Sequence, residues 1–125
     1  MALLLLCSCD NERQAIHQTL DAREAAIRSQ DINSYKSLLH PDYGDKNQSA
    51  AEATARMKRL FTQFDAMEMG SSDRTIYMID DEHALCEQSY RLKVKADNMW
   101  RETTQRERIE LTRTVQGWKI SGGLY

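Results

Sequence analysis

Proline occurs once and glycine only five times in 125 residues, too few for a disordered or low-complexity chain, and no segment recurs at solenoid periods. Nor is there an excess of charge of one sign. The 17 Lys and Arg stand against 19 Asp and Glu, for a net charge of −2, and no basic stripe interleaves with aromatics, so nucleic acid is not an expected partner. No glycine loop of the phosphate-cradling kind and no nucleophile elbow is present. His17, His40 and His83 lie apart, with no histidine–carboxylate cluster at ligand spacing, so neither a metal nor a cofactor is implied. What is there is a chain of one domain's length, with room for a single core and at most one site.

The N-terminus departs from the globular pattern. Met1 to Leu6 are apolar, Cys7-Ser8-Cys9-Asp10 follow, and from Asn11 the chain is strongly polar. An apolar run this short does not reach the about 20 residues of a membrane-spanning helix. Without a basic start it reads as the tail end of a secretory leader. Leu6-Cys7-Ser8-Cys9 resembles the bacterial lipobox, in which a small residue precedes the cysteine that is acylated and becomes the mature N-terminus. The resemblance implies that Cys9 is the lipidation site, that residues 1–10 are leader remnant and anchor, and that 11–125 form one domain in the cell envelope, held to the membrane by lipid. Cys86 is then a lone thiol, and no disulfide framework can form within one mature chain. The alternative is a hydrophobic tail with two incidental thiols.

Ala15, Ile16, Thr19, Leu20, Arg23, Ala26 and Ile27 recur at helical spacing, broken once by Arg23, and predict a helix over about 11–29. Asp31 can cap a second, shorter helix carrying Ile32, Tyr35, Leu38 and Leu39, which Pro41 ends. Residues 42–48 are polar and irregular. Ser49 and Glu52 form a capping-box pattern before a third helix with Ala53, Met57, Leu60, Phe61 and Phe64 on one face, ending near Ala66. Met57, Met67 and Met69 are expected to fill core.

Turn signals at 80–83, 97–98 and 116–117 divide the remainder into four strands near 74–79, 84–96, 99–115 and 118–124. A two-residue loop at Asp97-Asn98 sets Lys93 opposite Glu102 and Glu87 opposite Arg108, two opposite-charge pairs on one face. The other face, with Cys86, Gln88, Tyr90, Leu92, Ile109 and Leu111, is then buried. Counting through the flanking turns adds Ile79, Tyr77 and Thr75 on one side, and Val115, Trp118, Ile120 and Leu124 on the other. A bulge is expected in the long third strand.

Three helices before such a sheet, with Asp31-Ile32-Asn33, Leu38-Leu39-His40-Pro41-Asp42-Tyr43 and a closing Gly117-Trp118-Lys119-Ile120, resemble the nuclear transport factor 2-like superfamily, particularly its polyketide-cyclase-like members. The resemblance implies an α+β, cystatin-like cone: a strongly curved antiparallel sheet wrapped around helices, with a ligand pocket at its open end. Members include isomerases, dehydratases, cyclases and proteins that only bind, so the fold does not choose a function.

The register suggests where chemistry would lie. Thr75, Gln88 and Glu107 fall in one row across the buried face, with Tyr90 and Gln105 in the next, and buried polar groups must be hydrogen-bonded or line a cavity. Among apolar neighbours Glu107 would have a raised pKa and serve as general base, with Tyr90 or Tyr43 donating to an oxyanion. Alternatively Glu107 reaches solvent or pairs with Arg106, Arg108 or a helix arginine. Arg113 is too far along the strand from Glu107 to be its partner and is expected to mark the other sheet end or meet a helix carboxylate. His40 lies where such folds place the pocket, and Phe61 and Phe64 are expected to wall it. Three functions compete: an envelope protein binding a small apolar ligand or a partner, a small isomerase, dehydratase or cyclase, and a homodimer formed through the polar outer face of Arg91, Lys93, Thr104, Arg106, Thr112 and Thr114.

Overall fold

A computed structural model describes residues 2–45 and 48–124, with side chains from residue 10 onward. Helix α1 runs from Ala2 to Ser29. It thus extends further toward the N-terminus than the polar periodicity predicts, and the side chain of Cys9, the expected acylation site, lies outside the described residues. No helix among the described residues is long and apolar enough to cross a membrane. The predicted face of α1 is the one that packs: Ile16, Thr19, Leu20, Ala26 and Ile27 are buried, and so is Arg23.

Helix α2, Ile32–Ser37, starts at Asp31, whose carboxylate accepts from the Ser34 backbone N–H and hydroxyl. After α2 the chain adds itself to the sheet. Leu39 bridges Ile120 in parallel, the His40 N–H donates to the Ile120 carbonyl and the Ile120 N–H to the Leu38 carbonyl, each at 2.8 Å. The stretch 42–48 was expected to be irregular, but β1, Gly44–Asp45, pairs antiparallel with β2, Gln48–Ser49. Helix α3, Ala50–Gln63, begins with the predicted Ser49–Glu52 capping box, and its backbone is already extended at Phe64.

The main sheet comprises β3 (Ala66–Met78), β4 (His83–Ala96), β5 (Met99–Thr114) and β6 (Gly117–Gly122), antiparallel in chain order. The central pairing is as predicted: Lys93 faces Glu102, Glu87 faces Arg108, Gln88 faces Glu107 and Tyr90 faces Gln105. The turn between them has φ of 53° and 62° at Asp97 and Asn98, the left-handed pair that a two-residue hairpin matching strand twist requires. Glu102, however, reaches diagonally to Arg91 at 2.8 Å for its ion pair.

Three expectations fail at the sheet's margins. Strand β3 starts at Ala66, eight residues before the expected start, because the apolar alternation of Met67 and Met69 belongs to the sheet and not to the tail of α3; both are buried. The β3–β4 connection sets Met78, not Ile79, opposite Ala84, so one residue of slip turns Thr75, Tyr77 and Ile79 out to solvent and Ile76 inward. The β5–β6 loop is Val115-Gln116, which leaves Val115 exposed while Trp118 and Ile120 remain buried. The long third strand, β5, pairs with β4 without a break but shifts register against β6 between Glu110 and Leu111, and a bulge that was not expected sits in β3 between Ser72 and Thr75, with Asp73 at φ 54°.

Both ends of the sheet are tied to α1. Glu12 accepts from the Trp118 indole N–H at 2.5 Å and lies 3.7 Å from Arg113, the helix carboxylate that Arg113 was expected to meet. Arg13 donates to the Ile76 carbonyl at 2.7 Å, and the Thr19 hydroxyl to the Trp118 carbonyl at 3.0 Å.

Candidate functional site

The bulge in β3 turns the Arg74 side chain inward, opposite the point on β4 that Gln88 occupies. Arg74 Nε donates to Gln88 Oε1 at 2.7 Å, its Nη1 lies 3.0 Å from His17 Nδ1 and 3.1 Å from Asp21, and its Nη2 donates to the Ser71 hydroxyl at 2.9 Å. The Gln88 side chain therefore points its amide nitrogen the other way, donating to Glu107 Oε2 at 2.7 Å. Arg23 of α1 reaches the same oxygen with Nη2 at 2.5 Å. Arg23 of α1 and Arg74 of β3 are thus linked through a glutamine and a carboxylate, with Gln88 only 1% exposed and the Arg23 and Glu107 side chains 3% and 10% exposed. Such a chain is stable in a core only because each charge meets an opposite charge or a fixed dipole.

Above Arg23 and Glu107 opens a cleft of about 610 Å³ between the helices and the inner face of the sheet. Its apolar wall comes from all layers: Ile27, Ala53, Met57, Leu60, Met67 and Leu92 are representative. On α3 the lining residues Ala53, Met57 and Leu60 recur at four- and three-residue steps, so one side of that helix faces the cleft. Met69 also lines it and receives Arg23 Nη2 at 3.7 Å from its sulfur. At the end of β6 the chain crosses close over β5. Gly123, at φ +96°, lies so near the Arg108 carbonyl that a Cβ would stand 2.1 Å from its oxygen, and only glycine fits there.

Of the residues singled out from sequence, Glu107, Tyr90 and Gln105 line the cleft, and the Tyr90 hydroxyl donates to Gln105 Oε1 at 3.1 Å. Gln88 lies beneath it, bonded to Glu107. Thr75 is not in their row; it pairs with Glu87 and is exposed, for the register reason given above. Tyr43 is buried behind the cleft, where its hydroxyl accepts from the Leu124 N–H at 2.8 Å and donates to the Leu124 carbonyl at 3.2 Å, fixing the chain end that contributes Leu124 to the lining. Phe61 and Phe64 are half-buried but not among the lining residues; their carbonyls accept from the Gln30 side chain at 3.3 and 3.0 Å, on the corner between α1 and α2. His40 borders a separate surface groove with Leu39, Pro41 and Val115, and its Nδ1 accepts from the Asp42 N–H at 3.0 Å.

The surroundings of Glu107 are not the apolar ones from which a general base was argued, since a guanidinium and an amide both bond its Oε2. Sequence reasoning did not assign Arg23 or Tyr35 to the site. The signal for Arg23 was its place as the one charged residue in an apolar helix stripe. Tyr35 read as core, and it is core, 2% exposed; burial pushes its phenol up to about 12, so it meets the cleft as a neutral O–H donor. Cys86 is buried in the sheet, where burial raises its thiol to about 11 and leaves it inert. No three His, Cys, Asp or Glu side chains gather as metal ligands among the described residues.

No family model and no curated protein matches the chain. Solved structures do. A nuclear transport factor 2-like superfamily protein from Salmonella enterica superimposes with a TM-score of 0.81 at 15% identity, over 94% of this chain and 91% of that one. A nuclear transport factor 2-like protein with a cystatin-like fold from Novosphingobium aromaticivorans gives 0.79 at 14% identity, over 97% and 84%. A candidate dehydratase of the same family from Streptomyces avermitilis gives 0.78 at 13% identity, over 91% and 94%. The order of elements, the four-stranded antiparallel sheet with helices packed on it and these superpositions agree: the chain has the α+β, cystatin-like fold of the nuclear transport factor 2-like proteins.

Proposed function

We propose that this is a cell-envelope lipoprotein, acylated on Cys9, whose domain binds a small, largely apolar molecule in the cleft between its helices and sheet. The cleft carries the reading. Its size, about 610 Å³, is within the range of small-molecule sites, and it has the usual composition of such sites, mostly apolar with a few convergent polar groups at the buried end. A protein with no ligand to hold would gain by filling that volume, since an unfilled interior forfeits dispersion contacts. The anchor rests on the lipobox-like Leu6–Cys9 stretch, and it sits one helical turn before Glu12 and Arg13, the first side chains of α1 that grip the sheet. A lipid on Cys9 would hold the domain close to the membrane surface.

Leu92→Trp puts an indole into the cleft from a half-buried strand position and tests binding. The wild-type domain should bind a neutral apolar dye such as Nile red saturably with 1:1 stoichiometry, and the variant should lose that binding while keeping its circular dichroism spectrum. Equal dye binding by both proteins contradicts a site in the cleft. For the anchor, intact mass of protein made in a bacterium with its full leader should show diacylglyceryl on Cys9, and a mass with an unmodified Met1 start excludes it.

One observation favours a second reading, a small dehydratase- or isomerase-type enzyme. Among the described residues Arg23 and Gln88 bond only Oε2 of Glu107, which leaves Oε1 free to act as a general base, and Tyr90, a hydrogen-bond donor, lines the same cleft. Tyr90 would first have to release Gln105.

A further inference from the structure

The polar groups that line the cleft are mostly donors, and several of them are unspent. Arg23 has five N–H groups and uses only Nη2, toward Glu107 and Met69. Its Nε is buried without a partner, and no acceptor for Nη1 exists among the described residues. The hydroxyl of buried Tyr35 likewise has no protein partner among the described residues, and Tyr35 lies near enough to Arg23 and Arg56 for both charges to act on it. Arg56, exposed on α3, brings a further cation to the lining. Arg106, Arg108 and Glu87 border the cleft from the outer parity of the sheet, so on its inner side two arginines, Arg23 and Arg56, stand against one glutamate, Glu107. Arg106 is occupied with the Ser89 hydroxyl on the rim of β5. The one acid at the buried end, Glu107, is already paired.

Desolvating a guanidinium costs several kcal/mol and leaving its donors unmade adds to that, so a buried arginine with free N–H groups facing a cleft is poised for an acceptor from outside the chain. A neutral carbonyl would answer the hydrogen bonds but not the surplus positive charge. A carboxylate answers both, through the planar fork geometry in which guanidinium and carboxylate match. The methionines and leucines around it suit a hydrocarbon or ring system and offer it nothing polar.

We propose that the cleft selects monocarboxylic acids with an apolar body, the carboxylate bonded by Arg23 and Tyr35 with Arg56 supporting from α3, and the body lying against Met57, Met69 and Leu92. This rests on the reading of the cleft as a binding site and narrows its ligand class. Within this arrangement Glu107 is a competitor for Arg23, not a partner of the ligand. Removing its charge therefore strengthens binding of an acid, the reverse of what loss of a catalytic base would do.

Isothermal titration of the wild-type domain at pH 7 with decanoate and with 1-decanol separates the two levels. Binding of decanoate at least tenfold tighter than 1-decanol supports the proposal. Equal binding of both overturns it while leaving the cleft as a site for apolar molecules. Binding of neither overturns both. Glu107→Gln, which keeps the size of the side chain and its bond to Gln88, should raise decanoate affinity several-fold and leave 1-decanol unchanged; unchanged or weaker decanoate binding in the folded variant overturns the role given to Arg23.

Discussion

Arg23 and Glu107 each leave most of their hydration behind, and together they join α1 to β5. Breaking such a pair from one side is worse than removing it altogether, because the remaining charge has no compensation. Arg23→Met should therefore destabilise the domain by about 3–5 kcal/mol, and Arg23→Met with Glu107→Met should recover most of that loss. Urea denaturation of the three proteins checks it. A double variant no more stable than the single one would mean that Arg23 contributes through packing and not through its charge. Glu107 was legible in the sequence as a polar residue on a buried face, since it follows from one two-residue hairpin. Its partner was legible only as one of several alternatives, a helix arginine, and not as Arg23 in particular. Nothing in the spacing of α1 says that Arg23 lies opposite β5, because that depends on how the helix crosses the sheet, a tertiary fact with no local signature.

Elements defined by their own end signals were the most readable. The Ser49–Glu52 capping box and the Asp31 cap give the starts of α3 and α2 because an N-cap is satisfied within three residues. The Asp31 cap also has a pH signature. The hydroxyl and then the backbone N–H of Ser34 hold the Asp31 carboxyl below its ordinary value of 3.8. A carboxyl lowered on folding contributes stability that is full above the ordinary value and is lost as pH falls through the lower, folded one. The stability advantage of the wild type over Asp31→Ala should thus be constant at neutral pH and shrink below about pH 4, as thermal melts of both proteins across that range would show. A constant difference down to pH 2 would contradict the carboxylate's role. The β3 strand was the least readable element. Its alternation is broken by a bulge at Ser72–Thr75 and offset by a connection one residue longer than expected, and each event inverts every side chain beyond it. That inversion put Thr75 on the wrong face, and the same bulge supplies Arg74 to the interior.

At the scale of the molecule, the three-helix and four-strand order pointed to the fold, because a sheet with one apolar face needs helices to cover it. The cleft itself was half legible. Residues 88, 90, 105 and 107 came from the pairing of β4 with β5, whereas Phe61 and Phe64 were assigned to it from a stripe too wide to say which edge faces the opening. In the structure Ala53, Met57 and Leu60 line the cleft, whereas Phe61 and Phe64 do not, and their backbone carbonyls meet Gln30 at the α1–α2 corner. Methionine is the natural reporter of this arrangement. Met57, Met67 and Met69 line the cleft, whereas Met78 closes the far end of β3 and Met99 is exposed at the hairpin tip. With methyl-labelled methionine, titration with 1-decanol followed by NMR should shift the Met57, Met67 and Met69 resonances together and to saturation, and leave Met78 and Met99 in place. Shifts confined to Met99, or no saturable shift at any of the three, would contradict a ligand site in the cleft.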